Sequence, residues 1–588
     1  MPSLPYISKR ERSYIPPIDG LRTLAVTAVL LYHLGVKWIP GGFLGVDLFF
    51  VISGYVITRL ILDSIEGING LDLAEFYWAR ARRLFPGLLA VVIVSIFISA
   101  IFAPDSIRRL LLDAPYALTG TNNWHLVALH QDYFAANGRP PLLQHTWSLA
   151  VEAQFYAIWP FILYFIWRRY GRKNVARTAL SIALLSGVAL FLFSLRVDNN
   201  SSSKVSHIYF GTDTHSLGLF LGSALAVSWI PRNLTANITQ RAQDFIDGIG
   251  LFGLFGLLCT FLFINESNAT LYRLAFPLAG IFGCATIISL VHPASRFAPI
   301  LSSKPLLWIG ERSYGIYLWH WVIFQITRPS IDLAAASATA LNVARILLVL
   351  ACADISLRYL EIPIRRKVFQ NWIRGIKYRT KRTQKRQRIF LGSVIALIST
   401  LTITSASAAW YRNDHQVKIL KKDISLSETT ISPSNDGIWL TGDSIILGVK
   451  TRLAAKMNLA LVNARVGRQI GELIDVVKAD QPQVPHSTVV LDVGNNNALV
   501  KSDLVTLMEL IKHQPKIVLV NTAVPRPWRE ENDRLINEVI ASYPKVKLVD
   551  WNAISSNHPE FFAPDGVHLN ENGNNVYAAA ILEALGMN

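Results

Sequence analysis

The sequence predicts a polytopic α-helical membrane domain followed by an extracellular α/β domain with three layers. Three observations predict this fold class. Apolar residues make up 51% of the 588 residues, mean hydropathy is +0.33 and only 16% of residues are charged, a balance typical of membrane proteins. Long apolar segments follow one another from residue 18 to residue 409. From residue 438 onward, strand-like and helix-like patterns alternate, which favours a parallel sheet covered by helices on both faces.

The apolar segments have the length that a helix needs to cross a bilayer. We predict about eleven spans, at residues 18–36, 43–62, 85–103, 145–167, 178–195, 208–230, 248–265, 271–291, 306–326, 337–357 and 389–409. If the N-terminus lies in the cytoplasm, the basic segments 80–83, 168–177 and 358–388 lie there too, as the positive-inside rule requires. An odd number of spans then places the C-terminal domain outside the cell. We therefore expect a multi-pass protein of the cell membrane.

The net charge of +17 does not indicate a nucleic-acid partner, because its densest part lies beside the membrane. Residues 358–388 are strongly basic and lie between two apolar segments, where such clusters set topology and bind anionic lipid. The three cysteines, Cys259, Cys284 and Cys352, fall in apolar segments and lack the spacing of a metal site. We expect the lipid bilayer as a partner, no nucleic acid, no metal and no disulfide framework.

Ionisable residues in the predicted spans are costly in lipid and usually functional. Arg22 and His33 are eleven residues apart, so they lie on one stripe of the first helix, roughly 16 Å apart along its axis. An arginine that reaches the interface and a histidine at the helix end are an alternative interpretation. Asp47 and Glu152 also fall in or beside spans, and Arg22 or Arg80 could serve as the partner of Asp47. For both acids, a structural ion pair remains an alternative to a chemical role.

The C-terminal domain begins after a polar linker rich in serine and threonine, residues 421–436. The predicted strands are residues 438–441, 459–463, 488–493, 516–522 and 546–550, and the predicted helices are residues 445–457, 470–478, 502–513, 530–542 and 573–585. Strands that alternate with helices form a parallel sheet, and about 150 residues can bury a self-sufficient core. We therefore expect an independent domain.

Four short motifs of this domain lie where predicted strands end, the usual place of a catalytic loop in an open α/β sheet. They are Gly442-Asp443-Ser444, Gly467, Gly494-Asn495-Asn496 and Asp565-Gly566-Val567-His568. Ser444 is the candidate nucleophile, His568 its base and Asp565 the carboxylate that orients the base. The backbone N–H groups of Ser444 and Gly467 and the side-chain amide of Asn496 are candidate oxyanion donors. Each motif alone is weak, but the four in this order indicate a hydrolase-like site.

Several longer motifs follow one another between residues 15 and 370. They are Ile18-Asp19-Gly20-Leu21-Arg22 with His33, the run from Gly41 to Tyr55, Arg80 and Arg83 before Leu84-Phe85-Pro86, the run from Thr146 to Glu152, and the run from Ser313 to His320. Together they resemble the acyltransferase-3 membrane family. The resemblance implies that Arg22 and His33 serve acyl transfer from cytoplasmic acyl-CoA, and that Arg80 and Arg83 bind this donor.

The same resemblance makes Tyr209 a candidate acyl relay, because residues 209–214 match a family motif. Asp47, Glu152 and His320 are further candidates for the membrane site. The sequence departs from the family at three positions: Ala153 stands where glutamate is usual, His215 where arginine is common, and Val322 where proline often follows the tryptophan. We expect these departures to affect supporting contacts more than the activity.

The residue chemistry agrees with an acyl-CoA donor. An acyl-CoA is polyanionic, so its phosphates need arginines at the cytoplasmic face, where Arg80, Arg82 and Arg83 are predicted to lie. A thioester carbonyl needs a neutral base or nucleophile, and His33 is the only histidine in the first two predicted spans.

The order and spacing of the four C-terminal motifs are similar to those of the SGNH hydrolase superfamily, which implies a flavodoxin-like fold and the site roles given above. The fusion to a membrane domain resembles the peptidoglycan O-acetyltransferases of Gram-positive bacteria. Further runs carry this resemblance: Val466-Gly467-Arg468-Gln469, Val524-Pro525-Arg526-Pro527-Trp528 and Phe562-Ala563-Pro564-Asp565-Gly566-Val567-His568-Leu569. Asn495 and Asn497 stand where that group often has threonine and glycine, and neither change gives a reason to lose an oxyanion hole.

The favoured hypothesis is an O-acetyltransferase with a membrane domain at 1–370, a basic loop, last transmembrane helix and linker at 371–432, and an SGNH-like domain at 433–588. By resemblance, acetyl passes from cytoplasmic acetyl-CoA through a Ser444 acyl-enzyme to peptidoglycan, at the C6 hydroxyl of N-acetylmuramic acid. Alternatives are O-acetylation of another surface glycan, a membrane-anchored carbohydrate acetylesterase, and a carrier whose outer domain only binds glycan. No bound cofactor is expected.

Overall fold

The computed structural model describes residues 14–67, 70–129, 139–195, 202–264, 271–328, 338–425, 437–465, 467–497, 499–526, 528–563 and 566–587. The N-terminal part is helical. Its main helices are α1 (Pro16–His33), α2 (Gly45–Ile65), α3 (Leu73–Phe102), α4 (Ile107–Thr119), α5 (Asn122–Ala128), α6 (Thr146–Tyr170), α7 (Arg172–Leu195), α8 (Ser202–Phe210), α9 (Thr212–His215), α10 (Leu217–Ser228), α11 (Gln240–Phe263), α12 (Phe276–Leu290), α13 (Ala298–Leu301), α14 (Lys304–Ile326), α15 (Ala338–Ile355), α16 (Ile362–Arg365), α17 (Val368–Gly375) and α18 (Lys381–Ser425).

Within the described residues, each predicted span is mostly helical. In the described part of the chain, 8 segments are long and apolar enough to cross a membrane: Gly42–Ile65, Leu73–Phe102, Thr146–Tyr170, Arg172–Leu195, Gln240–Phe263, Arg273–Leu290, Thr339–Arg365 and Lys381–Arg412. The predicted spans at 18–36, 208–230 and 306–326 do not meet this criterion, although they are also helical. The second of them is broken into short helices at Gly211 and Ser216. The count of eleven and the orientation therefore stay predictions.

Helices α1 and α14 touch along their backbones. A Cβ atom on Gly310 of α14 would lie only 2.0 Å from the carbonyl oxygen of Asp19 in α1, so only glycine permits this approach. Farther along the same two helices, His33 and His320 are in contact. The first pair, Asp19 and Gly310, comes earlier in both helices than the second pair, His33 and His320. Helices α1 and α14 therefore run in the same direction, and their close packing sets the spacing of the two histidines.

The C-terminal part is a three-layer α/β domain. Its elements are β1 (Ile438–Gly442), α19 (Ser444–Ala454), β2 (Leu459–Ala464), α20 (Ile470–Asp480), β3 (Thr488–Asp492), α21 (Lys501–Ile511), β4 (Ile517–Val520), α22 (Arg529–Ile540), β5 (Val546–Val549), α23 (Trp551–Ser555) and α24 (Glu571–Leu585). The strand order is β2-β1-β3-β4-β5 and every pairing is parallel. Separate apolar cores lie on the two faces, one around Trp439 and Leu507 and the other around Leu440 and Trp551. The predicted parallel sheet between helical layers is confirmed.

The strand order reverses between β1 and β3. At such a switch point the loops after the two strands separate, and a ligand can bind at the carboxyl ends of the strands. Ser444 follows β1 directly, and Asn496 lies four residues after the end of β3. The fold therefore brings these motifs together, although they are far apart in the sequence.

Candidate active site

The candidate nucleophile, Ser444, lies at the sharp turn between β1 and α19. Gly442 adopts a φ of 151°, and a Cβ atom there would lie 1.8 Å from Asp492 Oδ1, so the turn requires glycine. Asp443 caps α19, because its Oδ1 accepts the Ile445 N–H over 2.9 Å. Ser444 is the first residue of the helix, so its backbone N–H has no intrahelical acceptor and lies at the positive end of the helix dipole.

The candidate base is in contact with the nucleophile. His568 Nε2 lies 2.9 Å from Ser444 Oγ, although 124 residues separate them in the sequence. An antiparallel bridge between Phe562 and Leu569 holds this loop, as does the Ala563 N–H, which donates to the His568 carbonyl over 2.7 Å. The geometry suits removal of the Ser444 proton by His568. Asp565, the predicted orienting carboxylate, lies outside the described residues.

The predicted oxyanion donors differ in their surroundings. Gly467 has a φ of 77° in the loop after β2, a conformation that glycine adopts at little cost. The Asn496 amide nitrogen donates to Asp443 Oδ2 over 2.7 Å and to the Arg468 carbonyl over 3.1 Å. Because an amide has two hydrogens, Asn496 must exchange one of these bonds to reach an oxyanion. Its oxyanion role stays a prediction, and here it braces the loop beneath the nucleophile.

A second carboxyl group lies behind the nucleophile, and the sequence-based prediction missed it. Asp492, at the end of β3, is 1% exposed and its Oδ1 accepts the Asp443 N–H over 2.8 Å. Burial, and then the negative charge of Asp443, raise the pKa of Asp492 well above its ordinary value. The raised pKa favours the protonated form of Asp492, whose carboxyl group supports the turn before Ser444. The signal in the sequence was an acid that ends the apolar run Val489-Val490-Leu491.

The membrane part contains a cavity of 780 Å³ with several arginines on its wall. It brings together four of the residues predicted for the membrane site, which are Arg22, Arg80, Arg83 and Glu152. Its wall also carries Ser53, Arg82, Tyr156, Tyr314, Arg365 and Arg366. Ser53 donates to the carboxylate of Glu152, and Arg22 pairs with Asp19 over 3.2 Å. A cavity of this size and charge can hold a polyanionic ligand.

The predicted partner of Asp47 is wrong. Asp47 pairs with His215 rather than with Arg22 or Arg80: His215 Nε2 lies 3.0 Å from Asp47 Oδ1, and both side chains are buried. The reason is the break between α9 and α10, which turns His215 toward α2. His215 Nδ1 donates to the Tyr209 carbonyl over 2.8 Å, so the pair also fixes the backbone at Tyr209. The tyrosine ring is itself buried and lies 5.0 Å from the Trp147 ring, centroid to centroid.

His33 belongs to a cluster of histidines and does not line the cavity that contains Arg22. Its Nδ1 lies 3.0 Å from His320 Nε2, and the ring centroid of His320 is 6.0 Å from that of His145. His145 was not predicted, although it directly precedes the run Thr146-Trp147-Ser148 that carried part of the family resemblance. The single stripe predicted for α1 thus connects two separate sites, an arginine site and a histidine site.

Known proteins resemble this chain over nearly its whole length. A family model described as "Acyltransferase domain" matches residues 15–356. Peptidoglycan O-acetyltransferase OatA of Listeria monocytogenes is 33% identical over 635 aligned residues, which cover 98% of this chain and 99% of the relative. The chain belongs to the OatA family of membrane acyltransferases. O-acetyltransferase OatA of Staphylococcus aureus is 32% identical, with coverage of 97% and 96%.

Several solved structures are similar to part of the chain, and one of them is an OatA domain. It is the C-terminal catalytic domain of OatA from Streptococcus pneumoniae with a methylsulfonyl adduct, which is 27% identical. The match has a TM-score of 0.24 and covers 26% of this chain and 93% of the other. The sequence relatives span nearly the whole chain, so the predicted family and the predicted class of enzyme, an acyltransferase, are confirmed.

Proposed function

We propose that the protein moves an acetyl group from cytoplasmic acetyl-CoA across the membrane onto peptidoglycan, at the C6 hydroxyl of N-acetylmuramic acid. The observation that carries the proposal is the 2.9 Å contact between Ser444 Oγ and His568 Nε2, in a chain that also contains an arginine-lined cavity among apolar helices. The donor and the finished wall glycan lie on opposite sides of a bilayer. Two sites in one chain therefore suit a transfer that crosses it.

The membrane site receives the donor in this proposal. Arg80 and Arg83 lie on the cavity wall with Arg22, and guanidinium groups bind phosphates through paired hydrogen bonds. During the transfer, the carbon–sulfur bond of the thioester breaks and the coenzyme leaves as a thiol. The acyl carbon forms a bond to an acceptor atom, whose proton is collected by His33 and passed to the departing sulfur. Tyr209, Asp47, Glu152 and His320 support this site.

The outer site completes the transfer. His568 takes the proton of Ser444 as the serine oxygen attacks the acetyl carbon. The bond from that carbon to the acceptor atom of the membrane step breaks, the acceptor atom regains its proton from His568, and Ser444 becomes an acetyl ester. The backbone N–H groups of Ser444 and Gly467 hold the oxyanion that forms, with Asn496 as a third donor and Asp565 orienting His568. The glycan hydroxyl then gives its proton to His568 while its oxygen attacks the ester. The bond to Ser444 breaks, and the serine oxygen regains a proton.

The proposed domain limits correspond to the two sites and to the segment that connects them. We assign residues 1–370 to the donor site, 371–432 to the crossing segment and linker, and 433–588 to the outer transferase. Helix α18 contains the last predicted span and the final part of the basic segment before it, residues 381–388, which favours a cytoplasmic start and an outer end. In this orientation Ser444 faces the wall.

Mass spectrometry of wall fragments tests the proposal. Cells that lack other O-acetyltransferases should carry acetylated muramic acid when they express the native chain, and lose it with Ser444→Ala. Ser502→Ala, at an exposed position of α21, is the matched control and should behave as the native chain. Fragment spectra that place acetyl on another glycan would redirect the proposal to that acceptor. Unchanged acetylation with Ser444→Ala would overturn the serine mechanism.

A further inference from the structure

His33 on α1 and His320 on α14 are in contact, and their ring nitrogens have a fixed pattern of hydrogen-bond donors and acceptors. His320 is 1% exposed, and its Nδ1 lies 2.6 Å from the Tyr317 carbonyl oxygen and 3.2 Å from that of Ile316. A carbonyl oxygen only accepts hydrogen bonds, so His320 Nδ1 carries the hydrogen. In a neutral imidazole the other nitrogen, Nε2, then holds the lone pair.

His33 must match this pattern. His33 Nδ1 lies 3.0 Å from His320 Nε2, and this distance is that of a hydrogen bond. Because His320 Nε2 accepts, His33 Nδ1 donates. A second proton on His320 would reverse the bond, but it would place a charge among the buried rings of His145 and Phe324, where charge is costly.

We propose that His320 is a positioning residue that holds His33 as the Nδ1–H tautomer, so that Nε2 of His33 is the nitrogen that takes a proton during acyl transfer. The tautomer follows from the contact between His33 Nδ1 and His320 Nε2, whereas its chemical use rests on the function proposed above for His33. The arrangement does for His33 what an orienting carboxylate does for the base of a serine hydrolase, with an imidazole lone pair as the acceptor.

The position of His320 is fixed from several sides. Tyr317, one turn earlier on α14, donates its hydroxyl to the His145 carbonyl over 2.8 Å and contacts Ser148 Oγ over 2.7 Å. The backbone contact between Gly310 and Asp19 fixes the register of α14 against α1. His320 can therefore present its lone pair to His33 without its own rearrangement, which is the condition for a positioning role.

Two substitutions separate positioning from packing. In His320→Gln, the side-chain carbonyl oxygen can replace Nε2 as the acceptor for His33 Nδ1–H, whereas His320→Leu fills similar space without an acceptor. General-base catalysis contributes on the order of 100-fold or more. We expect wall acetylation in cells, normalised to the amount of full-length protein, to fall by about that factor in His320→Leu. His320→Gln should stay at least about tenfold above His320→Leu. Equal activities of the two variants, or a fully active leucine variant, would overturn the proposal.

The tautomer can be observed directly in the full chain. Nitrogen spectra of ¹⁵N-histidine-labelled protein in lipid distinguish protonated from unprotonated ring nitrogens, and His33→Asn identifies the His33 signals by their loss. We expect a protonated Nδ1 and an unprotonated Nε2 in the native chain, and loss of this pattern in His320→Leu. A protonated Nε2 with an unprotonated Nδ1 on His33 would overturn the inference. Full activity of His33→Asn would instead overturn the function proposed for His33 and leave the tautomer result standing.

Discussion

Asp492 holds the residue that precedes the nucleophile: its Oδ1 accepts the backbone N–H of Asp443 over 2.8 Å, and both side chains are buried. Asp443 in turn accepts from the Ile445 N–H and from the Asn496 amide. The turn before Ser444 is thus supported by the side chains of Asp492 and Asp443 in series. Such support keeps the serine oxygen in place.

Asp492→Asn and Asp492→Ala should differ sharply in the purified domain 433–588. Asparagine resembles the protonated form of the native acid, and its Oδ1 can still accept the Asp443 N–H. Alanine leaves that buried N–H without an acceptor, at a cost of about 1–3 kcal/mol in the free energy of unfolding. We expect a lower midpoint of thermal unfolding and lower hydrolysis of a soluble acetyl ester in Asp492→Ala, and little change in Asp492→Asn. Equal loss in both would mean that the native residue acts as a carboxylate.

The pH dependence of the stability of Asp492→Asn tests the raised pKa of Asp492. The folded domain keeps the Asp492 proton after the unfolded chain has lost it, at a pKa of about 3.9. The stabilisation from this group is therefore complete below that pH and decreases as pH rises toward the folded pKa. The stability of Asp492→Asn relative to the native domain should increase with pH above about 4. Chemical denaturation of both proteins at a series of pH values measures this difference in stability. A difference that falls as pH rises would contradict the raised pKa of Asp492.

His215 should tolerate arginine but not leucine. His215 is the buried partner of Asp47, and the resemblance noted in the sequence implies that arginine is common at this position. Removal of one partner of a buried pair leaves an uncompensated charge and typically costs about 3–5 kcal/mol. We expect His215→Leu to lower the yield of folded membrane protein and wall acetylation, and His215→Arg to retain both. Thermal unfolding of the purified full chain measures the difference, and a stable, active leucine variant would show that the pair is dispensable.

Arg83→Gln should weaken donor binding more than turnover. Arg83 lies on the cavity wall, whereas Arg374 is exposed on α17, in the separate basic segment 358–388, and is absent from that wall. Loss of a guanidinium group that binds phosphate in both the ground state and the transition state raises KM with little change in kcat. Membrane vesicles supplied with labelled acetyl-CoA give both constants. Arg374→Gln is the control, and equal effects of the two substitutions would indicate only bulk charge attraction.

The orientation can be tested with protease. Wall-stripped intact cells should lose the C-terminal domain when protease is added outside, because residues 433 onward are proposed to lie there. The basic segment 358–388 should be cleaved only after the membrane is permeabilised. Protection of the C-terminal domain in intact cells would reverse the orientation and remove the need for a transfer across the bilayer.

The sequence predicted the contact between Ser444 and His568 because each motif ends or follows an element of a parallel sheet, and such a sheet gathers these ends at one edge. The sequence did not predict the contacts that support the two sites. The partner of Asp47 depends on a helix break at Ser216. The Asn496 amide is directed by Asp443 and the Arg468 carbonyl. The partners of both side chains are distant in the sequence, and only the packing of the folded chain decides which of them is in contact.

Helix α18 continues for 45 residues without a break, from Lys381 to Ser425. At a rise of 1.5 Å per residue its length is about 68 Å, more than twice the hydrocarbon thickness of a bilayer. In the proposed orientation, the part after residue 409 forms a stalk of about 24 Å above the lipid. In that orientation the stalk limits how far Ser444 can rise above the membrane surface, so shortening or lengthening it by whole turns should change which layer of the wall the enzyme can reach.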